Sequence, residues 1–298
     1  MDIEPNNTHT IMKIKYLPLI MASIICIVSC PAHGQKINTK NAWKLQSKLN
    51  SICAEGYNLF IAESVNWIST DSVLAHYNED SLGGSVIWQP TDSTWSAVFF
   101  DTKQKNCLFE LIYNVRCNKM SFSYDMRPIS QAEHEQFELK KTMLKNAIDK
   151  YGNKLLFNSE CGQANMDFVR IDKKTIRMYL LQGTVHPNVI PFGNDYSIDF
   201  DNNGKAKCFR QYHHSLIAVN LDGNESEDAI TYHSHLKDNP YITPTDVCNF
   251  LLYRGKMKQT YVISTALDGY IIYDADKNKA FFLSTEAMKK INDHEHRK

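Results

Sequence analysis

The chain has 298 residues, 43% of them hydrophobic and 22% charged, with 33 Lys+Arg balanced by 33 Asp+Glu. That length and apolar content suit an ordinary globular protein with a real core, as one large or two modest domains. The balanced charge offers no basic tract for nucleic acid and no acidic tail.

The N-terminus reads as an export signal. Lys13 and Lys15 precede an apolar run from Tyr16 to Val28, too short to span a bilayer and suited to a signal-peptide core. The residues ahead of Met12 are polar and include Asp2 and Glu4, so Met12 fits better as the start. Two processing patterns compete within residues 1–34. Ile27-Val28-Ser29-Cys30 resembles a bacterial lipobox, and Ala32-His33-Gly34 ahead of Gln35 is a small-x-small cleavage site. Both place the mature chain outside a bacterial cytoplasm, periplasmic or secreted, with membrane contact only through a lipid on Cys30. Beyond it lie Cys53, Cys107, Cys117, Cys161, Cys208 and Cys248. Export permits disulfides among them, but spacing does not choose a pairing.

Residues 36–127 read as a smaller N-terminal α+β domain. Ala42, Trp43, Leu45, Leu49 and Ile52 give Asn41 to Cys53 a helical spacing; Tyr57 to Ile61 reads as a short strand and Ser69 to Tyr77 as another helix. Four strand signals follow, at Gly84–Gln89, Trp95–Asp101, Cys107–Val115 and Met120–Tyr124. Short turns separate them, which favours an antiparallel meander. No residue in this half suggests chemistry.

Residues 129–291 read as a second domain, a mixed sheet with flanking helices, followed by a charged tail over 292–298. Ser130 and Glu133 form a capping-box pattern behind Pro128. Phe137, Leu139, Met143, Leu144, Ala147 and Ile148 then supply an apolar helical face that Gly152 should stop. Strands are expected at Met166–Ile171 and Thr175–Leu181, then a Pro/Gly loop from His186 to Asn194. Tyr196–Phe200 and Lys207–Tyr212 flank the turn Asp201-Asn202-Asn203-Gly204. Leu216–Asn220 and Asp228–His233 continue the β pattern. Thr243 reads as an N-cap with Pro244 at the first helical position, and the helix should run to Tyr253 and stop at Gly255. Tyr261–Thr265, Tyr270–Tyr273 and Ala280–Leu283 are the last strands.

The chemistry concentrates in His233-Ser234-His235, seven residues, Thr243, two residues, Asp246. On a strand, residues two apart face the same side, so the two imidazoles point together. Asp246 falls in the first turn of the next helix, a favourable place for a carboxylate. Two imidazoles and a carboxylate are ligand types zinc prefers, and three protein ligands leave a fourth position for water.

This pattern resembles the signature of the JAMM/MPN metalloproteases, His-Ser/Thr-His-x7-Ser-x2-Asp, over roughly residues 129–283. The resemblance implies a Zn2+ site on His233, His235 and Asp246, and a hydrolase of a peptide, isopeptide or other amide bond that uses a zinc-activated water. It implies that Thr243, in the place of the family's serine, helps hold the reacting oxygen. It also implies a glutamate general base, for which Glu160 sits in about the right order after the long helix; Glu225 and Glu227, which precede the histidine strand, are spatial alternatives. The chain departs from the family at Thr243 and at Leu236, where proline normally follows the second histidine. An unsettled base leaves a second function open, a non-catalytic periplasmic or surface binding protein on the same fold. Of the adjacent His213 and His214 at most one can face the site, and both read as strand or loop positions. Cys248 reads as core, His186 as solvated, and Tyr241 as a residue that shapes the substrate groove. There is no Gly-rich phosphate loop and no Gly-x-Ser-x-Gly elbow.

Overall fold

The computed structural model describes residues 39–157, 159–186, 188–220, 230–235, 237–255 and 259–295. The export signal with Cys30, the alternative bases Glu225 and Glu227, and Leu236 lie outside the described residues. Among the described residues the architecture is α+β: four α-helices with mostly antiparallel sheets. Among the described residues no helix is long and apolar enough to cross a membrane. By its internal contacts the chain divides into two compact units. One contains Glu55–Leu221 and Pro244–Leu252; the other contains Met1–Ala54, Asp222–Thr243 and Tyr253–Lys298.

The first α-helix, α1, is Thr39–Leu74, 36 residues without interruption. The strand expected at Tyr57–Ile61 is therefore helix, as is the start of the helix expected at Ser69. A short apolar run is ambiguous by periodicity alone. Here Leu59, Ala62, Val65, Ser69 and Val73 are all buried, and their three- and four-residue spacing makes one continuous helical stripe. Gly56 has a packing role, because a Cβ there would lie 2.5 Å from Val247 Cβ.

In the Glu55–Leu221 unit, β1 (Leu82–Thr91), β2 (Thr94–Asp101), β3 (Asn106–Asn114) and β4 (Lys119–Ser123) form the expected antiparallel meander, with the two-residue β5 (Arg127–Pro128) also on β3. Strand β2 is buried on both faces. Trp95, Ala97 and Phe99 join Leu59, Ala62 and Val65 of α1. Val98 and Phe100 join Phe137 of α2 (Gln131–Tyr151). A strand covered on both sides reads as a continuous apolar run, and this one does. The capping box of α2 is present: Ser130 Oγ accepts from Glu133 N, and Glu133 Oε2 accepts from Ser130 N. Gly152 keeps right-handed geometry (φ −54°), so α2 tightens into a 3-10 turn over Gly152–Lys154 without a left-handed cap.

A second antiparallel sheet has the order β10-β9-β7-β6, from β6 (Ala164–Asp172), β7 (Thr175–Gln182), β9 (Tyr196–Phe200) and β10 (Ala206–Gln211). Its alternation sorts the core: Tyr179 and Leu181 join the α1 cluster, while Ile176, Met178 and Leu180 join Met143 and Ala147 of α2. The loop expected from His186 to Asn194 contains a strand, β8 (Val189–Phe192), paired antiparallel with β11 (Ile217–Asn220). Pro191 is accommodated because this sheet has two strands, each an edge where a missing N–H is tolerated. The short helix α3 (Pro244–Leu252) buries Pro244 through Cys248 as well as Phe250 and Leu251.

In the other unit, β12 (Ile230–His235), β13 (Gln259–Ser264), β14 (Gly269–Asp274) and β15 (Lys279–Ser284) form a four-stranded sheet in chain order. β12 and β13 are parallel, with His233 opposite Val262 and His235 opposite Ser264; the remaining pairs are antiparallel. A final helix, α4 (Thr285–Glu295), takes in much of the stretch read as a charged tail. The early part of α1 attaches to this sheet through Gln46 Nε2, which donates to Ala280 O at 3.0 Å.

Candidate metal centre

Strand β12 presents its residues as a period of two requires. His233 and His235 are buried and Ser234 between them is exposed. The two Nε2 atoms lie 2.9 Å apart. His235 Nδ1 is 2.5 Å from Tyr241 O. A carbonyl only accepts, so Nδ1 carries the proton and the Nε2 lone pair is available to a ligand. The backbone carbonyl of His235 is in turn held by Thr265 N and Oγ1.

Asp246 sits in the first turn of α3, 1% exposed. A carboxylate so buried is costly unless it is paired or coordinates a cation. His213 Nε2 approaches its Oδ1 at 3.4 Å. The other nitrogen of His213, Nδ1, lies 2.8 and 2.9 Å from the two oxygens of Asp195. Burial disfavours the His213 cation, but Asp195 and then Asp246 outweigh it and lift the imidazole from 6.5 to about 9. Without a metal, His213 therefore holds a proton among two carboxylates.

One ligand atom from each of His213, His233, His235 and Asp246 lies within 4.8 Å of the other three, and all four residues are buried. Three imidazoles and a carboxylate are a donor set for zinc or a similar transition metal. The His213 Nε2–Asp246 Oδ1 separation of 3.4 Å is that of neighbouring ligands, and the two Nε2 atoms of His233 and His235, 2.9 Å apart, are slightly closer. Ligand bonds of about 2.0–2.1 Å in a tetrahedron place neighbouring donors roughly 3.3–3.4 Å apart.

The three residues named as ligands from sequence, His233, His235 and Asp246, are thus in one group. Thr243 is buried immediately ahead of α3. Glu160 is exposed, in a turn ahead of β6, and is not one of the four. Cys248 is buried in the α1 core cluster, as expected, with burial pushing its thiol well up. His186 is exposed. Tyr241 offers its backbone carbonyl to His235. All six cysteines after Cys30 are free thiols, those at 117 and 208 exposed and the others buried.

The reading of His213 as an ordinary strand or loop position is corrected. It follows β10, is buried against Asp195, and joins the group that could hold a metal ion, while its neighbour His214 is exposed. The sequence did signal that only one of the two could face inward. Asp195 was missed altogether, since a single aspartate between a loop and a strand carries no motif.

Comparison with known proteins adds no family: no family model matches the chain, and neither curated proteins nor solved structures give a significant match. Fold and site together define an α+β protein with a buried histidine–aspartate group that could hold a metal ion.

Proposed function

We propose that this chain is an exported zinc-dependent hydrolase of a peptide, isopeptide or other amide bond, similar in chemistry to the JAMM/MPN proteases. The observation that carries the reading is the convergence of His213, His233, His235 and Asp246 within 4.8 Å. The spacing of His233, His235 and Asp246 along the chain matches that family's signature, with Thr243 for serine and Leu236 for the usual proline. Export rests on the apolar segment from Tyr16 to Val28 and the processing patterns behind it.

His233, His235 and Asp246 would hold the ion, with His213 as a further donor. When bound, zinc supplies a Lewis acid that polarises a carbonyl and acidifies water. We assign Glu160 to proton transfer: its order in the chain fits, and its exposure gives it access to solvent protons. Thr243 is assigned a hydrogen bond to the reacting carbonyl oxygen.

His213 favours a second reading. Four protein ligands close a tetrahedral zinc site, the arrangement of structural rather than catalytic centres. The chain would then be a non-catalytic periplasmic or surface binding protein. Zinc-loaded protein assayed on fluorogenic peptide and isopeptide amides separates the two. The hydrolase reading expects turnover that a chelator abolishes and that Glu160→Gln lowers about 100-fold or more with zinc retained. Protein that keeps its zinc and is inert across the panel contradicts catalysis and supports the second reading.

A further inference from the structure

We infer that Asp195 is a positioning residue for metal binding: its carboxylate accepts the Nδ1–H hydrogen bond of His213 and so commits the Nε2 lone pair to the ion. The inference rests on the metal-binding reading above.

Asp195 is 3% exposed and its two oxygens are both engaged. Oδ1 accepts from the backbone N–H of His213 at 3.1 Å and from His213 Nδ1 at 2.8 Å. Oδ2 lies 2.9 Å from the same Nδ1 and accepts the hydroxyl of Thr245. A carboxylate occupied in this way orients a ligand and is not itself one, and Asp195 is absent from the four-residue group. Such outer carboxylates fix the tautomer and ring plane of metal-binding histidines and raise their basicity.

Thr245 precedes Asp246 in α3, so one carboxylate ties down both the segment that carries His213 and the helical turn that carries Asp246. The backbone around Asp195 is shaped for this. Gly193 has φ +90° and Asn194 φ +49°. A Cβ on Gly193 would lie 2.0 Å from Ser215 O. The chain before Asp195 can approach 213–215 only because residue 193 has no side chain.

Zinc affinity of the purified full chain, measured by competition with a chromophoric chelator, tests the inference in a double-mutant cycle. We expect Asp195→Ala to weaken zinc binding about 10–100-fold. In the His213→Ala background the same change should cost less than about twofold, because its target is gone. The visible spectrum of the Co2+-loaded protein should shift alike in Asp195→Ala and His213→Ala. Asp195→Asn keeps the shape and one acceptor and should lose about tenfold, the low end of that range; it carries the test if the alanine variant does not fold. Equal losses in both backgrounds, or wild-type affinity in Asp195→Ala and Asp195→Asn, would overturn the inference and leave the metal reading standing. A wild-type chain that binds no zinc would overturn both, and that shows before any variant is made.

Discussion

Around Asp246 a buried carboxylate faces imidazoles; around Asp167 it faces a second acid. Glu63 and Asp167 are 1% and 3% exposed and hydrogen-bonded to each other. Asn165 donates to Glu63 Oε1 and Asn66 to Asp167. Glu63 Oε2 and Asp167 Oδ2 have no donor among the described residues, so the bond between the two acids needs one proton. Burial, then the neighbouring Glu63 charge, hold the Asp167 carboxyl well above the usual carboxylate range. The acid pair neutralises one charge with a proton; Asn165 and Asn66 donate amide N–H groups to it, and the Lys140 charge acts on Asp167. The histidine group offers nitrogen lone pairs once its Nδ1 atoms are occupied. A buried carboxylate alone thus says little about metal; the groups opposite it decide.

The largest expected difference between the two regions is in metal content. His235→Ala should take bound zinc, read by atomic absorption, from about one per chain to none, whereas Asp167→Asn should leave it unchanged. Zinc retained in His235→Ala would break the contrast.

Gly56→Ala should disturb both regions. α1 carries Glu63, and its Gly56 leaves room for Val247 Cβ and Pro244 O, which a new Cβ would approach at 2.5 and 2.8 Å. Overpacking of this kind costs about 1–3 kcal/mol, visible as a lower urea midpoint. Zinc affinity should fall with it, because α3 carries Asp246.

The acid pair should show itself in pH dependence. Asp167 has a folded pKa above its unfolded one. Its contribution to stability is therefore full below the unfolded pKa and is lost as pH rises through the folded value. Metal-free protein should lose stability through this group between acid and alkaline pH. Asp167→Asn should remove that part of the slope and raise the urea midpoint at alkaline pH. An unchanged slope would mean that the pair does not share a proton. The smallest effect expected is for Thr245→Val, about 0.5–1.5 kcal/mol, from the lost hydroxyl donor to Asp195.

The meander, the capped helix α2 and the β12–α3–β13 segment were legible because each has a local cause: alternation, a Ser130/Glu133 box, a proline at the first helical position. The helix through Tyr57–Ile61 was not. Five residues fit either period, and the choice was made by a stripe continuing to Val73 and by Val247 seated against Gly56. In the candidate metal centre, His233, His235 and Asp246 carry a spacing that sequence can show. His213 and Asp195 do not, because they are brought together by the pairing of β9 with β10 and a left-handed turn at Gly193 and Asn194.

X-ray absorption at the zinc edge of the purified full chain tests the central claim most directly. About one zinc per chain, with a shell of imidazole nitrogen and carboxylate oxygen at about 2.0–2.2 Å, is the result expected of His213, His233, His235 and Asp246. A chain that retains no zinc, or zinc with a sulfur shell at about 2.3 Å, would contradict it.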